Sequence, residues 1–485
     1  MNNWKCAFDH PIDQIKNETI SLRLVLIFIL LAAGAPAEAA DNPTNLFDQA
    51  STGSGQARAE PTRPLRWLAS GVEEFELETG YFTGPADRID YLANLRLVYG
   101  FSWHFHTNWE LRLAARLDGY REQGFRTVSE LKVDTADSFL RYRSDRRRIT
   151  LGAQTVIWGR ADFDAPTDQM GVIDLSRGLI DELSRHRRSA LAMRWEEYFE
   201  HTRLDVMWIP VFRPTRLPPQ QSVWYPINRR SGRVFGMHDF PELANLLRVS
   251  SIDDGNVSGG SGGGGFRFSR EAGSLDWALT VQRIRSPRPY FEIDPRLQPR
   301  LPDNLSLLDV IRARAQRATF QSVHPWTSVV GGDLGWAHNY STWRLEAAWL
   351  SDVPVTTTQF ALDSRSAILS AVAWEFFPSL GETRINVQLS ARQLLDPGEI
   401  FERARTITMG GDLDSFWARQ RWRLRLRYLV GLDHNQVYLN PELAMLRTHA
   451  GEFYIGAHWF SGQATSLGGL YRDNDWIVAG WRKRI

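Results

Sequence analysis

The side chains best placed for chemistry are arginines. In residues 420–430, Arg421, Arg423, Arg425 and Arg427 alternate with Trp422, Leu424, Leu426 and Tyr428. A period of two sets the guanidiniums on one face of a β-strand and the apolar residues on the other. Neighbouring guanidiniums on such a face stand roughly 7 Å apart, a spacing that can hand an anion from one weak site to the next. Arg112, Arg116, Arg384 and Arg392 share that parity on other alternating segments. In a second reading the same arginines are neutralised by acids such as Glu110, Asp205, Glu346 and Glu452, and only brace a wall. The sequence leaves both readings open.

Residues 151–168, L-G-A-Q-T-V-I-W-G-R-A-D-F-D-A-P-T-D, carry the second candidate. Parity turns Gln154 and Trp158 to the arginine side, and Gly159 releases the chain into a loop. Arg160, Asp162, Asp164 and Asp168 cluster there, with Pro166 stiffening the bend. Folded inward, the opposed charges make a constriction. Latched to a wall by Asp–Arg pairs, they are structural, and the latch is the favoured reading. The strand end Gln154-x-Val156-x-Trp158-Gly159, followed by an Asp- and Pro-containing loop, resembles one found in bacterial outer-membrane porin-like β-barrel proteins of unknown substrate. The resemblance covers residues 151–168 directly. It implies a barrel fold and an outer-membrane location, and names no solute.

Other motifs carry less. Gly259-Gly260-Ser261-Gly262-Gly263 has the letters of a nucleophile elbow, but glycine stands where the strand and helix should be. His186, His201, His238, His324, His338, His434, His449 and His458 show no paired spacing for a metal, and Asp253 and Asp254 lack further calcium ligands. No metal, cofactor or enzymatic activity is expected. Arg177, Arg185, Arg187 and Arg188 surround His186. They read either as a grip on lipopolysaccharide phosphates or as a solvated run.

The elements that position these residues follow from composition and pattern. The 485 residues hold 57 Lys+Arg against 56 Asp+Glu, which gives no bulk attraction to nucleic acid. There are 19 tryptophans and 12% aromatic residues, enough for two interfacial girdles. Mean hydropathy is −0.34, too polar for a helical membrane protein but ordinary for a barrel, whose apolar residues occupy alternate positions. Residues 24–33 form a short apolar run after Lys16 and Arg23, and Ala37-Glu38-Ala39 offers a cleavage site. Residues 1–39 therefore read as a secretory signal rather than an anchor. Cys6 leaves with it, so the mature chain has no thiol. Residues 40–70 read as a disordered periplasmic lead-in.

Alternation recurs through residues 71–485, with short polar turns near 104, 145, 201, 272, 340 and 380. Longer segments lie between them at 159–186, 213–263, 285–327, 351–366, 393–407 and 432–447. This asymmetry predicts an all-β transmembrane antiparallel barrel of about 18 strands, or 16 if two are loops, with short periplasmic turns and long extracellular loops. Residues 252–265 read as a flexible glycine-rich tip, and 306–315 as a short helix. Gly480 suits a barrel-ending strand, whereas Lys483 and Ile485 depart from the usual apolar and aromatic ending. The expected partners are outer-membrane lipid, lipopolysaccharide, the barrel-assembly machinery and small solutes, with no nucleic acid. Passive passage of small anionic or carboxylate-bearing solutes is the expected function. The alternatives are a plugged barrel that binds a surface partner or helps assemble an envelope polymer, and a carrier of hydrophobic molecules.

Overall fold

The structure is a computed structural model. It describes residues 71–484 apart from 85–88, 125–126, 179–185, 229–232, 236–251, 254–258, 297, 299–318, 380–381 and 448–450. The signal, the lead-in, Cys6 and the 306–315 helix lie outside the described residues.

Eighteen antiparallel strands close into a barrel. In chain order the first nine are Val72–Phe82, Ile89–His106, Trp109–Gly124, a broken strand (Val128–Thr135 with Ser138–Arg143), Arg147–Gln154, Ala190–Tyr198, Thr202–Ile209, Gly263–Ala272 and Leu275–Arg285. The rest are Trp326–His338, Ser341–Thr356, Leu362–Ser379, Thr383–Leu394, Arg405–Trp417, Trp422–Gly431, Gln436–Arg447, Gly451–Gly462 and Trp476–Arg484. The last strand pairs with the first from Glu74↔Arg484 to Phe82↔Trp476. That closure removes the edge that lipid cannot satisfy. The final strand pairs along its length despite Lys483.

The strands form for the reason the alternation suggests. Leu279, Ile455, Ile477, Leu345 and Trp459 point outward and are exposed, while their neighbours face in. Trp103, Phe105, Trp109, Trp336, Trp343 and Trp417 lie toward the end that carries the short turns and are also exposed, as a girdle at one membrane interface requires. No helix among the described residues is long and apolar enough to cross a membrane. An eighteen-stranded barrel with this exterior is an outer-membrane protein of a Gram-negative cell.

Several boundaries differ from expectation. Residues 351–366 extend two long strands, and 432–447 contains the strand Gln436–Arg447. Arg421 lies in a turn whose Ala418, Arg419 and Gln420 adopt φ of 52°, 57° and 59°, so the arginine strand starts at Trp422. A short helix, Leu467–Leu470, capped by Ser466, was not apparent from periodicity. The described residues of the glycine-rich tip include strand. Ile252–Asp253 pairs with Phe320–Val323 in a small sheet completed by Tyr290–Ile293, and Gly263–Gly265 opens a barrel strand.

Candidate functional site

The arginine strand lies between two acid-bearing strands, and register decides its partners. Arg425 stands opposite Asp414 on one side and Glu442 on the other, and Arg427 opposite Asp412 and Asn440. Arg425 meets Asp414 at 2.6 Å, Arg423 meets Glu442 at 2.8 Å and Glu452 at 3.3 Å, and Arg427 donates to Asn440 at 2.8 Å. Arg482 joins Glu442 at 2.5 Å and also contacts Glu452. Arg384 bridges Glu375 at 2.5 Å and Asp412 at 2.6 Å, and Arg344 joins Glu375 at 2.5 Å to Asp162 at 2.7 Å. Arg344, Arg384, Arg423, Arg425, Arg427 and Arg482 thus share this face with Asp162, Glu375, Asp412, Asp414, Glu442 and Glu452. The face is locally neutral.

The loop after Gln154 turns into the lumen. Gln154 ends its strand by donating from Nε2 to the carbonyl of Ala192 at 3.0 Å. Trp158 is buried, and its indole N–H reaches Asp205 at 3.0 Å. Arg160 pairs with Asp333 at 2.5 Å and approaches Asp276 at 3.6 Å. Glu346 anchors the turn. Its carboxylate accepts the backbone N–H groups of Arg160, Ala161 and Thr167 and the Thr167 hydroxyl, at 3.0, 3.1, 2.6 and 2.7 Å. Gln388 accepts the N–H groups of Asp162 and Phe163 at 2.9 and 3.2 Å. At the tip Asp164 has φ 43° and meets Arg288 at 3.2 Å. Asp168 holds Arg187 on the way back, where burial pushes its carboxyl up despite that partner.

Sequence order hides why the loop fits. Beneath it the lumen face is apolar. Val156, Trp158 and Met170 pack on Ala192, Met207, Val329, Ala348 and Ala367, all nearly or fully buried. Two glycines make room for it. A Cβ on Gly265 would lie 3.0 Å from the Trp158 ring, and one on Gly331 would lie 2.9 Å from the Thr167 methyl. The loop, tied by the Arg160–Asp333, Asp162–Arg344 and Asp168–Arg187 pairs, is laid over apolar wall rather than over a uniformly polar one.

A second inward segment seats Trp224 on the other side. Its ring lies 5.3 Å from Tyr471, 5.9 Å from Phe460 and 6.2 Å from Phe82. Tyr471 donates to the Trp224 carbonyl at 2.8 Å, and Ser222 donates to Glu122 at 2.7 Å. Burial raises the Tyr471 phenol well above its ordinary value.

The cations not balanced in this way gather elsewhere. Asp134 is shared by three guanidiniums, Arg188 at 2.8 Å, Arg216 at 3.5 Å, and Arg213. Arg216 also reaches Asp118 at 3.0 Å and Asp174 at 3.1 Å. Arg116 meets the same two acids at 2.8 Å each, and Arg96 adds to Asp118 at 3.1 Å. Burial alone would raise the Asp174 carboxyl, but Arg116 and Arg216 hold it down to about 2. Burial and the neighbouring Arg213 both lower the Arg188 guanidinium. Arg177 reaches Glu78, so Arg177, Arg187 and Arg188 each turn onto an acid rather than to solvent, while Arg185 lies outside the described residues. Arg112 pairs with Glu73 at 2.5 Å. Arg392 is half-buried, has no ion pair among the described residues, and its buried Nε has no hydrogen-bond partner.

Sequence reasoning missed Arg96, Arg213, Arg216 and Gln388, although inward parity marks Arg96 and Gln388. No group of metal-ligating side chains occurs among the described residues.

No family model and no curated protein sequence matches the chain. Among solved structures it is similar to OpdL of Pseudomonas aeruginosa, at 6% identity over 86% of this chain and 98% of that one, with a TM-score of 0.45. OprD, an outer membrane protein of the same organism, is similar at 8% identity over 86% and 95%, with a TM-score of 0.43. OmpF of Salmonella typhi, solved with daunomycin, is similar at 8% over 85% and 96%, with a TM-score of 0.42.

Proposed function

We propose that the barrel is an outer-membrane channel for passive passage of small anionic, preferably carboxylate-bearing, solutes. The observation that carries this reading is one cluster in which five guanidiniums, of Arg96, Arg116, Arg188, Arg213 and Arg216, share three carboxylates, of Asp118, Asp134 and Asp174. Each guanidinium carries a fixed positive charge and a fork of N–H donors, so five of them on three acids leave positive potential for a passing carboxylate. Arg392 supports it as a cation with no ion pair among the described residues and a buried Nε without a hydrogen-bond partner. The arginine strand contributes less than its sequence suggests, because acids on the neighbouring strands neutralise Arg423 and Arg425.

Reversal potential across a planar bilayer under a KCl gradient tests the proposal. Wild type passes chloride in preference to potassium, and Arg188→Gln with Arg213→Gln lowers that preference several-fold. An unchanged reversal potential sinks the anion reading. A second reading, a barrel with a closed lumen that binds a surface partner or helps assemble an envelope polymer, is favoured by the two packed inward segments around Trp158 and Trp224. Absence of any conductance decides for it.

A further inference from the structure

The broken fourth strand leaves an edge inside the membrane. Trp109–Gly124 pairs with Ser138–Arg143 in one register, Leu111↔Leu140, and with Val128–Thr135 in another, Leu117↔Val133. One extra residue at Ala136–Asp137 makes the difference, a β-bulge opposite Ala114. Ala136 donates its N–H to the Ala114 carbonyl at 3.1 Å, and Ser138 Oγ both donates to and accepts from the Ala114 backbone at 2.9 and 2.8 Å. The next strand round, Arg147–Gln154, stops level with the bulge at Ser138↔Ala153, where Asp137 accepts the Thr155 N–H at 2.8 Å. Above that point no strand among the described residues pairs with the far side of Val128–Thr135.

Hydrogen-bonded pairs alternate in an antiparallel ladder. With Ala136 bonded to Ala114, residues 134, 132, 130 and 128 direct their amides to the partner strand. Ser129, Leu131, Val133 and Thr135 direct theirs to the open side. Consistently, the Thr135 N–H turns to the Asp134 side chain at 2.8 Å. Val133 and Leu131 are also the most exposed of the large apolar side chains, at 75% and 65%. From Trp109 to Leu117, the partner of Val133, the strand climbs about 26 Å along its axis, or about 20 Å in height at the usual tilt, within an apolar band about 25 Å tall. Lipid cannot satisfy free amides there.

We propose that a second copy of this chain covers the edge, two Val128–Thr135 strands pairing antiparallel about a two-fold axis at Leu131. Charge selects both the partner and the register. Centred on Leu131, each Lys132 stands opposite the other copy's Glu130, its own Lys132–Glu130 contact being 2.5 Å. Centring on Glu130 or Lys132 sets like charges face to face. Centring on Val133 needs Asp134, which Arg188 and Arg213 already hold. The contact is isologous and closes on itself.

The test is oxidative cross-linking in isolated outer membranes, with Cys6→Ser as background. Leu131→Cys forms a disulfide-linked dimer. Val133→Cys alone does not, but it cross-links to co-expressed Ser129→Cys. Leu131→Pro, whose missing N–H faces the open side, keeps the heat-modifiable gel mobility of a folded barrel and halves the protein mass measured by light scattering. A wild-type monomer in mild detergent, a Leu131→Cys thiol that labels with maleimide but never cross-links, or cross-linking through Val133→Cys in preference to Leu131→Cys each overturns the proposal.

Discussion

The Thr167 amide donates to Glu346 at 2.6 Å although the two residues are 179 apart in sequence. This contact, with the three others at the same carboxylate, turns a loop that would otherwise extend outward into one that lies in the lumen. A carboxylate suits the task because it offers several acceptor sites and no competing donor. Each bond to a charged acceptor is worth about 1.5–3 kcal/mol. Glu346→Ala is therefore expected to free residues 158–168 while leaving the barrel folded. Limited proteolysis checks this, with cleavage near residue 162 in the variant and none in wild type. Glu346→Gln, which keeps one carbonyl acceptor, should give an intermediate result.

The arginine strand yields a prediction opposite in kind to that for Arg188 and Arg213. Arg425 and Arg423 are mostly buried beside Asp414 and Glu442, themselves almost fully buried. Removing Arg425 takes the shortest ion pair from buried Asp414, which keeps Arg384 at 3.4 Å and Arg423 at 4.0 Å, so the loss lies below the about 3–5 kcal/mol of a fully broken buried pair. Arg425→Gln should lower the temperature of the heat-induced gel shift and barely move the reversal potential. A large selectivity change with unaltered thermal stability would show that the ladder selects solutes after all.

The Asp174 carboxyl sits at about 2 in the folded chain, against about 3.9 for an unperturbed aspartate. The unfolded chain therefore binds the proton first, and the stabilisation from Arg116 and Arg216 is complete above about pH 4. It is lost as pH falls from there towards 2. Thermal stability measured at stepwise pH should decline through that window, and the Asp174→Asn variant should show a shallower decline from a lower starting stability. A decline of equal steepness in both would assign the acid sensitivity to other groups.

The fold was legible because one rule, alternation between lipid and lumen, repeats in most strands, and Leu279, Ile455 and Ile477 obey it without exception. The inward loop was legible in part. Gln154 and Trp158 face in by parity, but which residues of the next two strands they meet, Ala192 and Asp205, is set by register. Charge balance was not legible. Arg423 and Arg425 stand out as letters in a row, while the acids that cancel them lie on neighbouring strands at offsets set by register. Arg213 and Arg216 sit in a proline-rich loop with no period at all. The broken strand was missed because a one-residue bulge reverses parity at Ala136–Asp137, so a single period cannot run through residues 128–143.

Trp224 offers the sharpest test of whether the lumen is open. Its indole fills a nest of Phe82, Phe460, Tyr471 and Trp476, and ring contacts of this kind add to the area they bury. Truncating a buried tryptophan to alanine costs about 3–5 kcal/mol. With the anchor gone, hydrogen bonds from Tyr471 to the residue 224 carbonyl at 2.8 Å, from Asn474 to the Val223 carbonyl at 2.9 Å and from Ser222 to Glu122 at 2.7 Å are left to hold the segment, with the Arg233–Asp473 pair at 2.8 Å. Trp224→Ala is expected to lower thermal stability and raise the unitary conductance, because the segment then leaves the lumen part of the time. If conductance stays at the wild-type value while stability falls, the Trp224 nest is wall packing and the solute path runs elsewhere, past Arg188 and Arg213.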